Sequence, residues 1–182
     1  HIECSAMSRA LLGDTIDIHT GGEDNIFPHH ECELAQSESV TGKPFVRFWL
    51  HKRRIDLGSE KMSKSLGNVV TIPDIINKGW SPMDLRYCFL SVHYRTQMKF
   101  TDEAMQSAQK ERGRIMEWFA AIRDLITRRG KNFETCAATN ASCEALENFI
   151  VAMDNDLNVS EARAVIFGGM TNYYKAVEGG YV

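Results

Sequence analysis

The composition of the chain changes once, near residue 100, and this change limits what the chain can fold into. Before that point glycines, histidines and short apolar runs predominate, and after it come long stretches of Ala, Glu, Gln, Arg and Met. The second set of residues favours helix. The 182 residues suffice for one medium domain or one and a half small ones. We therefore predict an α/β part followed by a mostly helical part.

Strand and helix signals alternate in the first hundred residues. Residues 16–19 alternate in polarity and run into two glycines, which predicts a short strand ending in a glycine turn. Pro28 occupies a position that suits a first helical turn, so we predict a helix over residues 28–39. Residues 45–55 are aromatic and β-branched and predict a strand, although Arg and Lys interrupt it.

Helix signals predominate in the rest of the chain. Two short helices are predicted, one opened by Pro73 and one that Ser81 caps before Pro82. One long helix is predicted over residues 102–129, where apolar side chains recur at helical spacing. The remaining predicted segments are a linker and two helices, over residues 130–142, 143–153 and 160–174.

Charge and cysteine content restrict the kinds of partner and compartment. The net charge is −3, so the basic excess of a large nucleic-acid footprint is missing and any RNA contact must be local. No apolar run approaches the roughly 18 residues of a membrane span, which predicts no membrane partner. The five cysteines are odd in number and irregularly spaced, and we predict reduced thiols in the cytoplasm. The abrupt first residues predict a chain cut inside a domain.

Three side chains form a candidate metal site. His29 and Glu33 are four residues apart, which puts both on one face of the predicted helix. Imidazole and carboxylate are zinc ligands, and Cys4 can add a thiolate. A fourth ligand is then needed, from another part of the protein or from a substrate. The spacing alone is more typical of a surface pair or a helix cap, and His19 beside the glycine turn is, by itself, more often a hydrogen-bonded structural histidine.

Two further groups are candidates for binding phosphate and nucleotide. Residues 59–68 are polar and predict a loop, within which Lys61 and Lys64 flank a hydroxyl. Such a loop can close over a polyphosphate and neutralise its charge, although a solvated basic loop has the same composition. Gly22 precedes Asp24 at a strand end, where glycine allows close backbone approach and a carboxylate can accept from ribose hydroxyls. Alone, that second signal is weak.

Four segments stand in an order that resembles one family. Residues 1–7, 17–24, 27–36 and 61–68 are similar to cysteinyl-tRNA synthetases, which are class I aminoacyl-tRNA synthetases. The resemblance is dense over roughly residues 1–100. Beyond them, residues 153–158 resemble more loosely the helical region that follows the catalytic domain in that family.

The resemblance implies a fold and a domain plan. It implies an α/β fold, with the second half of a Rossmann-like class I synthetase catalytic domain over residues 1–68. A helical connection that forms the stem-contact region is expected over residues 69–100. A mostly helical bundle domain, truncated, is expected over residues 101–182. A chain of this extent is expected to be inactive by itself, because the upstream half of the catalytic domain is missing.

The resemblance also implies an activity. Family members activate cysteine as an adenylate, with ATP and Mg²⁺, and transfer it to tRNA(Cys). They hold one Zn²⁺ per subunit with two cysteines, a histidine and a glutamate. Cys4, His29 and Glu33 match three of those ligands, and the fourth lies upstream of this chain. A monomer in the cytoplasm is expected.

Further residues match the family's substrate-binding positions. Lys61, Ser63, Lys64 and Ser65 match the lysine–serine loop that contacts the ATP phosphates, with Lys61 and Lys64 as catalytic residues. Gly22 and Asp24 match the ATP-binding region, and His19 matches a histidine near the substrate. Trp49 and His51 fall near the expected adenine position. Five arginines of the long helix are candidates for contact with a tRNA stem, although solvated charge is the commoner role: Arg112, Arg114, Arg123, Arg128 and Arg129.

Zinc gives the expected activity a physical rationale. Cysteine and serine differ by one atom, and a pocket of fixed shape separates such isosteres poorly. Zinc binds thiolate strongly and a neutral hydroxyl weakly. If the substrate thiol becomes a ligand, discrimination rests on coordination chemistry and the site can work without editing.

Two other functions fit the same motifs. One is the cysteine ligase of mycothiol synthesis, which joins cysteine to an amino sugar and uses no tRNA. The other is a non-catalytic zinc-binding or RNA-binding relative, although intact lysines and metal ligands argue against a decayed site. Three positions depart from the family pattern without touching its chemistry: Thr20, Cys32 and Asn155 replace the usual glycine, asparagine and aspartate.

Overall fold

A computed structural model describes residues 1–56, 70–129 and 138–179. The chain folds into two compact units. The first contains His1–Asp56 and Tyr94–Met98, and the second contains the other described residues. Within the described ranges, no helix combines the length and apolar character that crossing a bilayer requires.

A parallel pair of strands forms the centre of the first unit. Strand β1 (Ile16–Gly22) pairs with β2 (Val46–Lys52), so that Ile16 lies opposite Val46. A parallel pair needs a long crossover connection, which here carries a helix. Both predicted strands are confirmed, but the predicted glycine turn is wrong, because β1 continues through Gly21 and Gly22, which pair with His51 and Lys52. The second is shorter than expected and is followed by β3 (Ile55–Asp56), which pairs with β4 (Met98–Lys99) where the chain returns to this unit.

Two helices of the first unit carry the candidate metal ligands. Helix α1 (Ile2–Leu12) precedes β1, and α2 (Glu31–Thr41) lies in the crossover. No sequence pattern predicted the first of these. Its large apolar side chains are exposed, with Leu11 81% exposed, and its N-cap, His1, makes no side-chain cap hydrogen bond that would mark the start of the helix.

The start of the crossover helix differs from the prediction. The sequence predicts a helix from Pro28, but α2 begins at Glu31 and is preceded by a single π-helical turn, Ile26–His30. Phe27 has extended backbone angles, φ −130° and ψ 133°, which interrupt the helical path at this point. His29 nevertheless remains one turn from Glu33, and the two side chains form an ion pair.

The second unit begins with two short capped helices. Helix α3 (Ile72–Asn77) is capped by Thr71, and α4 (Pro82–Phe89) is capped by Ser81. In both caps the hydroxyl accepts a hydrogen bond from the backbone N–H of the aspartate three residues later. The side chain of that aspartate accepts one from the backbone N–H of the capping residue. Both proline-initiated helices are thus confirmed.

Three longer helices complete the described part of the second unit: α5 (Asp102–Arg129), α6 (Ala138–Asp154) and α7 (Val159–Glu178). The predicted bounds of the long helix are confirmed. Helix α6 begins five residues earlier than predicted, so the prediction of a linker up to residue 142 is wrong at its C-terminal end. Cys88, Met105 and Ala108 are among the buried side chains that pack α4 and α5.

Candidate metal centre

Cys4, His29 and Glu33 converge in the first unit. Their ligand atoms all lie within 4.8 Å of one another, although 25 residues separate the cysteine from the histidine. Cys4 comes from α1, His29 from the π-helical turn and Glu33 from α2. The first two are partly exposed, and Glu33 is buried, with 1% of its side chain exposed. The group is therefore open on one side and anchored in the core on the other.

A hydrogen bond next to the cluster holds its two helices together. Ser5, which follows Cys4 on α1, is buried, and its hydroxyl donates to Oε1 of Gln36 on α2 at 2.8 Å. Ser5 follows Cys4 directly, and Gln36 lies three residues after Glu33 on α2. The bond therefore links α1 to α2 at the residue next to Cys4.

The Glu33 carboxylate uses its two oxygens for different partners. Oε1 lies 2.8 Å from Nε2 of His29, and Oε2 lies 2.5 Å from Nε2 of His19. Burial works against ionisation of this carboxyl, but the hydrogen bond and charge of His19, with the charge of His29, hold its pKa below the usual value. Glu33 is thus a carboxylate at neutral pH, with one oxygen turned toward Cys4 and His29.

The donor set of this group fits zinc. A thiol, an imidazole and an ionised carboxylate are the ligand types that Zn²⁺ takes in tetrahedral sites. Three protein donors leave one tetrahedral position for another ligand.

A second group shares Glu33 and includes His30, which the sequence did not predict as a site residue. His19, His30 and Glu33 also place their ligand atoms within 4.8 Å of one another. His30 is buried and its Nδ1 lies 2.8 Å from Nε2 of His51. Burial, and then the charge of His19, lower the pKa of His30, which favours a neutral imidazole. Adjacent helical residues point in different directions. His29 therefore contacts Glu33, whereas its neighbour His30 contacts His51.

Trp49 forms one wall of the histidine cluster. Its ring stacks on His19 with centroids 4.8 Å apart and lies nearly parallel to His51 with centroids 5.8 Å apart. The contact with His19 follows from the strand register, in which these two residues are opposite each other. The expected position of Trp49 and His51 near adenine stays a prediction.

The glycines at the end of β1 meet the cluster closely. A Cβ built on Gly21 would lie 2.5 Å from Cε1 of His30, so a larger residue would displace that buried ring. A Cβ on Gly22 would lie 2.4 Å from Oδ1 of Asp24. The structure thus brings Gly22 and Asp24 together, and Arg54 forms an ion pair with Asp24 at 3.6 Å.

A comparison with protein families decides what kind of domain this is. The model of the tRNA synthetases class I (C) catalytic domain matches residues 1–110. The chain belongs to this family. The match covers all three candidate metal ligands and both strands of the parallel pair, and it confirms the resemblance found in the sequence.

Two relatives that match most of this chain are both named cysteine–tRNA ligase. The chain is 46% identical to the cysteine–tRNA ligase of Chlamydia muridarum over 168 residues, covering 92% of this chain and 35% of that one. It is 47% identical to the cysteine–tRNA ligase of Symbiobacterium thermophilum, covering 92% and 36%. The chain therefore spans about a third of the length of the curated relatives it matches.

A solved structure supports the class I fold. The ternary complex of LeuRS, tRNA and LeuAMS from Agrobacterium radiobacter K84 matches with a TM-score of 0.73. The match covers 91% of this chain and 23% of that one at 17% identity, so it speaks for the fold alone. It extends beyond the catalytic family model into the helices of the second unit.

The lysine–serine segment of this class I domain is not among the described residues. Lys61, Ser63, Lys64 and Ser65 all lie between residues 57 and 69, outside the described ranges. Their assignment to the ATP phosphates stays a prediction.

Proposed function

We propose that this chain is part of a cysteine–tRNA ligase, which activates cysteine as an adenylate with ATP and Mg²⁺ and transfers it to tRNA(Cys). The observation that carries the proposal is the convergence of Cys4, His29 and Glu33 within 4.8 Å. A thiol, an imidazole and a buried carboxylate gathered from three segments make a site for a thiol-binding cation. The names of the relatives supply the reaction.

The three side chains would hold one Zn²⁺, with a further protein ligand from outside this chain. Bound there, zinc would supply a soft Lewis-acid site that prefers a thiolate to a hydroxyl. The residues around the site would orient the ligands for this metal. His19 engages one oxygen of Glu33 and leaves the other directed toward Cys4 and His29. His19 also lies next to the amino-acid substrate in this proposal.

ATP would bind at the end of β1 and under the lysine–serine segment. Gly22 permits close approach of the nucleotide, and Asp24 accepts from its hydroxyls. Lys61 and Lys64 would neutralise the phosphates during adenylate formation, with Ser63 and Ser65 as hydrogen-bonding partners. Positioning and charge neutralisation would then supply most of the acceleration.

The domain plan belongs to the same proposal. We infer the second half of a Rossmann-like catalytic domain over residues 1–68, a stem-contact connection over 69–100 and a helical bundle over 101–182. A monomeric state and a cytoplasmic location stay predictions of the sequence.

The test uses the full-length polypeptide that contains this chain. We expect cysteine-dependent ATP–pyrophosphate exchange, charging of tRNA(Cys) and negligible exchange with serine. Cys4→Ser should lose zinc and most of the preference for cysteine, because a hydroxyl is a poor zinc ligand. Cys32→Ser is the matched control, since Cys32 is also partly exposed but outside both metal-ligand groups. It should behave as the wild type.

Two outcomes would contradict the proposal. One is the absence of cysteine-dependent exchange, which would favour a non-catalytic relative. The other is exchange without tRNA charging and with joining of cysteine to an amino sugar, which would favour the mycothiol-pathway ligase.

A further inference from the structure

A single arginine joins three elements of the second unit. Arg163 lies on α7, and its Nη1 donates to the carbonyl oxygen of Ser91 at 2.9 Å. Its Nε donates to the Tyr87 hydroxyl at 3.2 Å, and its Nη2 forms an ion pair with Glu111 of α5. The guanidinium carbon lies 5.1 Å from the centroid of the Tyr87 ring. The partners are 52 to 76 residues away in sequence.

The surroundings of this guanidinium are largely closed to water. The Arg163 side chain is 17% exposed, and Glu111 is 28% exposed. Cys88 next to it is fully buried; burial raises the pKa of that thiol, and the charge of Arg163 opposes the rise. A planar fork that donates to several acceptors at once fixes orientation as well as distance. Lysine at this position would keep the charge but lose that fixed geometry.

A second contact docks the same helix pair nearby. The loop between α6 and α7 places the carbonyl oxygen of Asp156 2.7 Å from Nε2 of His93, two residues beyond the Ser91 carbonyl. Asp156 and Leu157 have positive φ angles of 54° and 56°. Non-glycine residues adopt this conformation at a cost, so the surrounding contacts must hold it. Helices α6 and α7 are therefore fixed to the C-terminal end of α4 at two adjacent points.

We propose that Arg163 is a positioning residue for the tRNA-dependent transfer step, holding α6 and α7 to α4 and α5 as one surface for a polynucleotide. This inference rests on the proposed function. The contacts described for Arg163 lie within the second unit, whereas the proposed cysteine site lies in the first. A tRNA is large enough to reach helices that cysteine and ATP need not touch. The exposed Arg123 on α5 offers it a cation, and so does Arg128, which forms an exposed ion pair with Asp124.

The experiment separates activation from transfer in the full-length polypeptide. In Arg163→Lys we expect cysteine-dependent ATP–pyrophosphate exchange within about twofold of wild type, because no activation group is touched. The KM for tRNA(Cys) in charging should rise about tenfold at nearly unchanged kcat, as for a lost charge-assisted hydrogen bond. Arg86→Lys, an exposed arginine on α4, is the matched control and should change neither reaction.

Tyr87→Phe provides a second variant if the first fails to fold. It removes one acceptor of Arg163 and keeps the ring beneath the guanidinium, so KM for tRNA should rise by about threefold, with exchange unchanged. A parallel loss of exchange and charging, or no change in either, would overturn the inference alone. A wild-type protein without cysteine-dependent exchange would instead overturn the proposed function, and this inference with it.

Discussion

Nε2 of His29 lies 2.8 Å from Oε1 of Glu33, although the chain between the two residues passes from a π-helical turn into an α-helix. The sequence spacing that suggested this pair assumed a continuous helix from Pro28. The change of helix type preserves the side-chain contact. The carboxylate is buried while the imidazole is partly exposed, so the pair faces outward toward Cys4.

Replacing Glu33 tests the metal centre directly. Glu33→Gln removes the negative charge and one metal-binding oxygen while keeping the shape of the side chain. We expect zinc affinity to fall by more than about 100-fold, since loss of an outer partner alone costs 10- to 100-fold. Competition with a chelator measures it in the full-length polypeptide. Glu31→Gln, at an exposed position on the same helix, should leave affinity unchanged. Equal affinity in both variants would remove Glu33 from the ligand set.

His19 should act on the metal through Glu33. Without its imidazole, Oε2 of a buried carboxylate loses a hydrogen bond of 2.5 Å. We expect His19→Ala to weaken zinc binding about 10- to 100-fold. His19→Gln should recover part of this, because an amide nitrogen can take the place of Nε2. His19→Asn is too short to reach that place. Equal affinities for the Gln and Asn variants would contradict this role.

Two glycine substitutions should have opposite effects on stability. A Cβ on Gly21 would contact the buried His30 ring at 2.5 Å, so Gly21→Ala should destabilise the protein by about 1–3 kcal/mol. Gly113 lies within α5 and an added Cβ meets nothing within 4 Å. Gly113→Ala should therefore stabilise that helix by about 0.5–1 kcal/mol. Urea unfolding of both variants measures the two changes, and destabilisation by both would contradict the comparison.

Asp84 should make the second unit sensitive to acid. Burial opposes its ionisation, but hydrogen bonds from the Ser81 backbone and the Arg112 side chain hold its pKa below the usual 3.8. Because the pKa of Asp84 is lower in the folded state, its ionised carboxylate stabilises the fold fully at pH values above the unfolded-state pKa. This stabilisation is lost as the pH falls through the folded-state value.

Asp84→Asn tests this dependence. The variant should be less stable at neutral pH by about 1.5–3 kcal/mol, the usual contribution of a hydrogen bond to a charged group. Its free energy of unfolding should also fall less between pH 6 and 3 than that of the wild type, as measured by urea unfolding. Asp124→Asn, which breaks an exposed pair with Arg128 on one helix, should cost little. An unchanged pH dependence in Asp84→Asn would contradict the assignment.

Local patterns predicted most of the helices and strands. Ser81 before Pro82, and Pro73 near the start of its helix, carry cap chemistry that depends only on neighbouring residues, and both helices form as expected. Helix α1 was missed because no capping residue marks its start: its N-cap is His1, which makes no side-chain cap hydrogen bond. The π-helical turn was missed because Phe27 leaves the helical path at a position where proline otherwise favours a helix start.

Contacts across the fold were less predictable. The sequence pointed to Cys4, His29 and Glu33 through a family resemblance, and the structure brings them together. The place of His30 and Trp49 depends on the parallel register of two strands, which no local pattern encodes. The partners of Arg163 lie more than 50 residues away, so its role required the fold itself.

The most direct test of the account is X-ray absorption at the zinc edge of the full-length protein, with and without cysteine. The account predicts bound zinc with a sulfur shell at about 2.3 Å that gains one sulfur when cysteine is added and none when serine is added. A spectrum without zinc, or a sulfur shell that cysteine leaves unchanged, would contradict the claim that this cluster reads the substrate thiol.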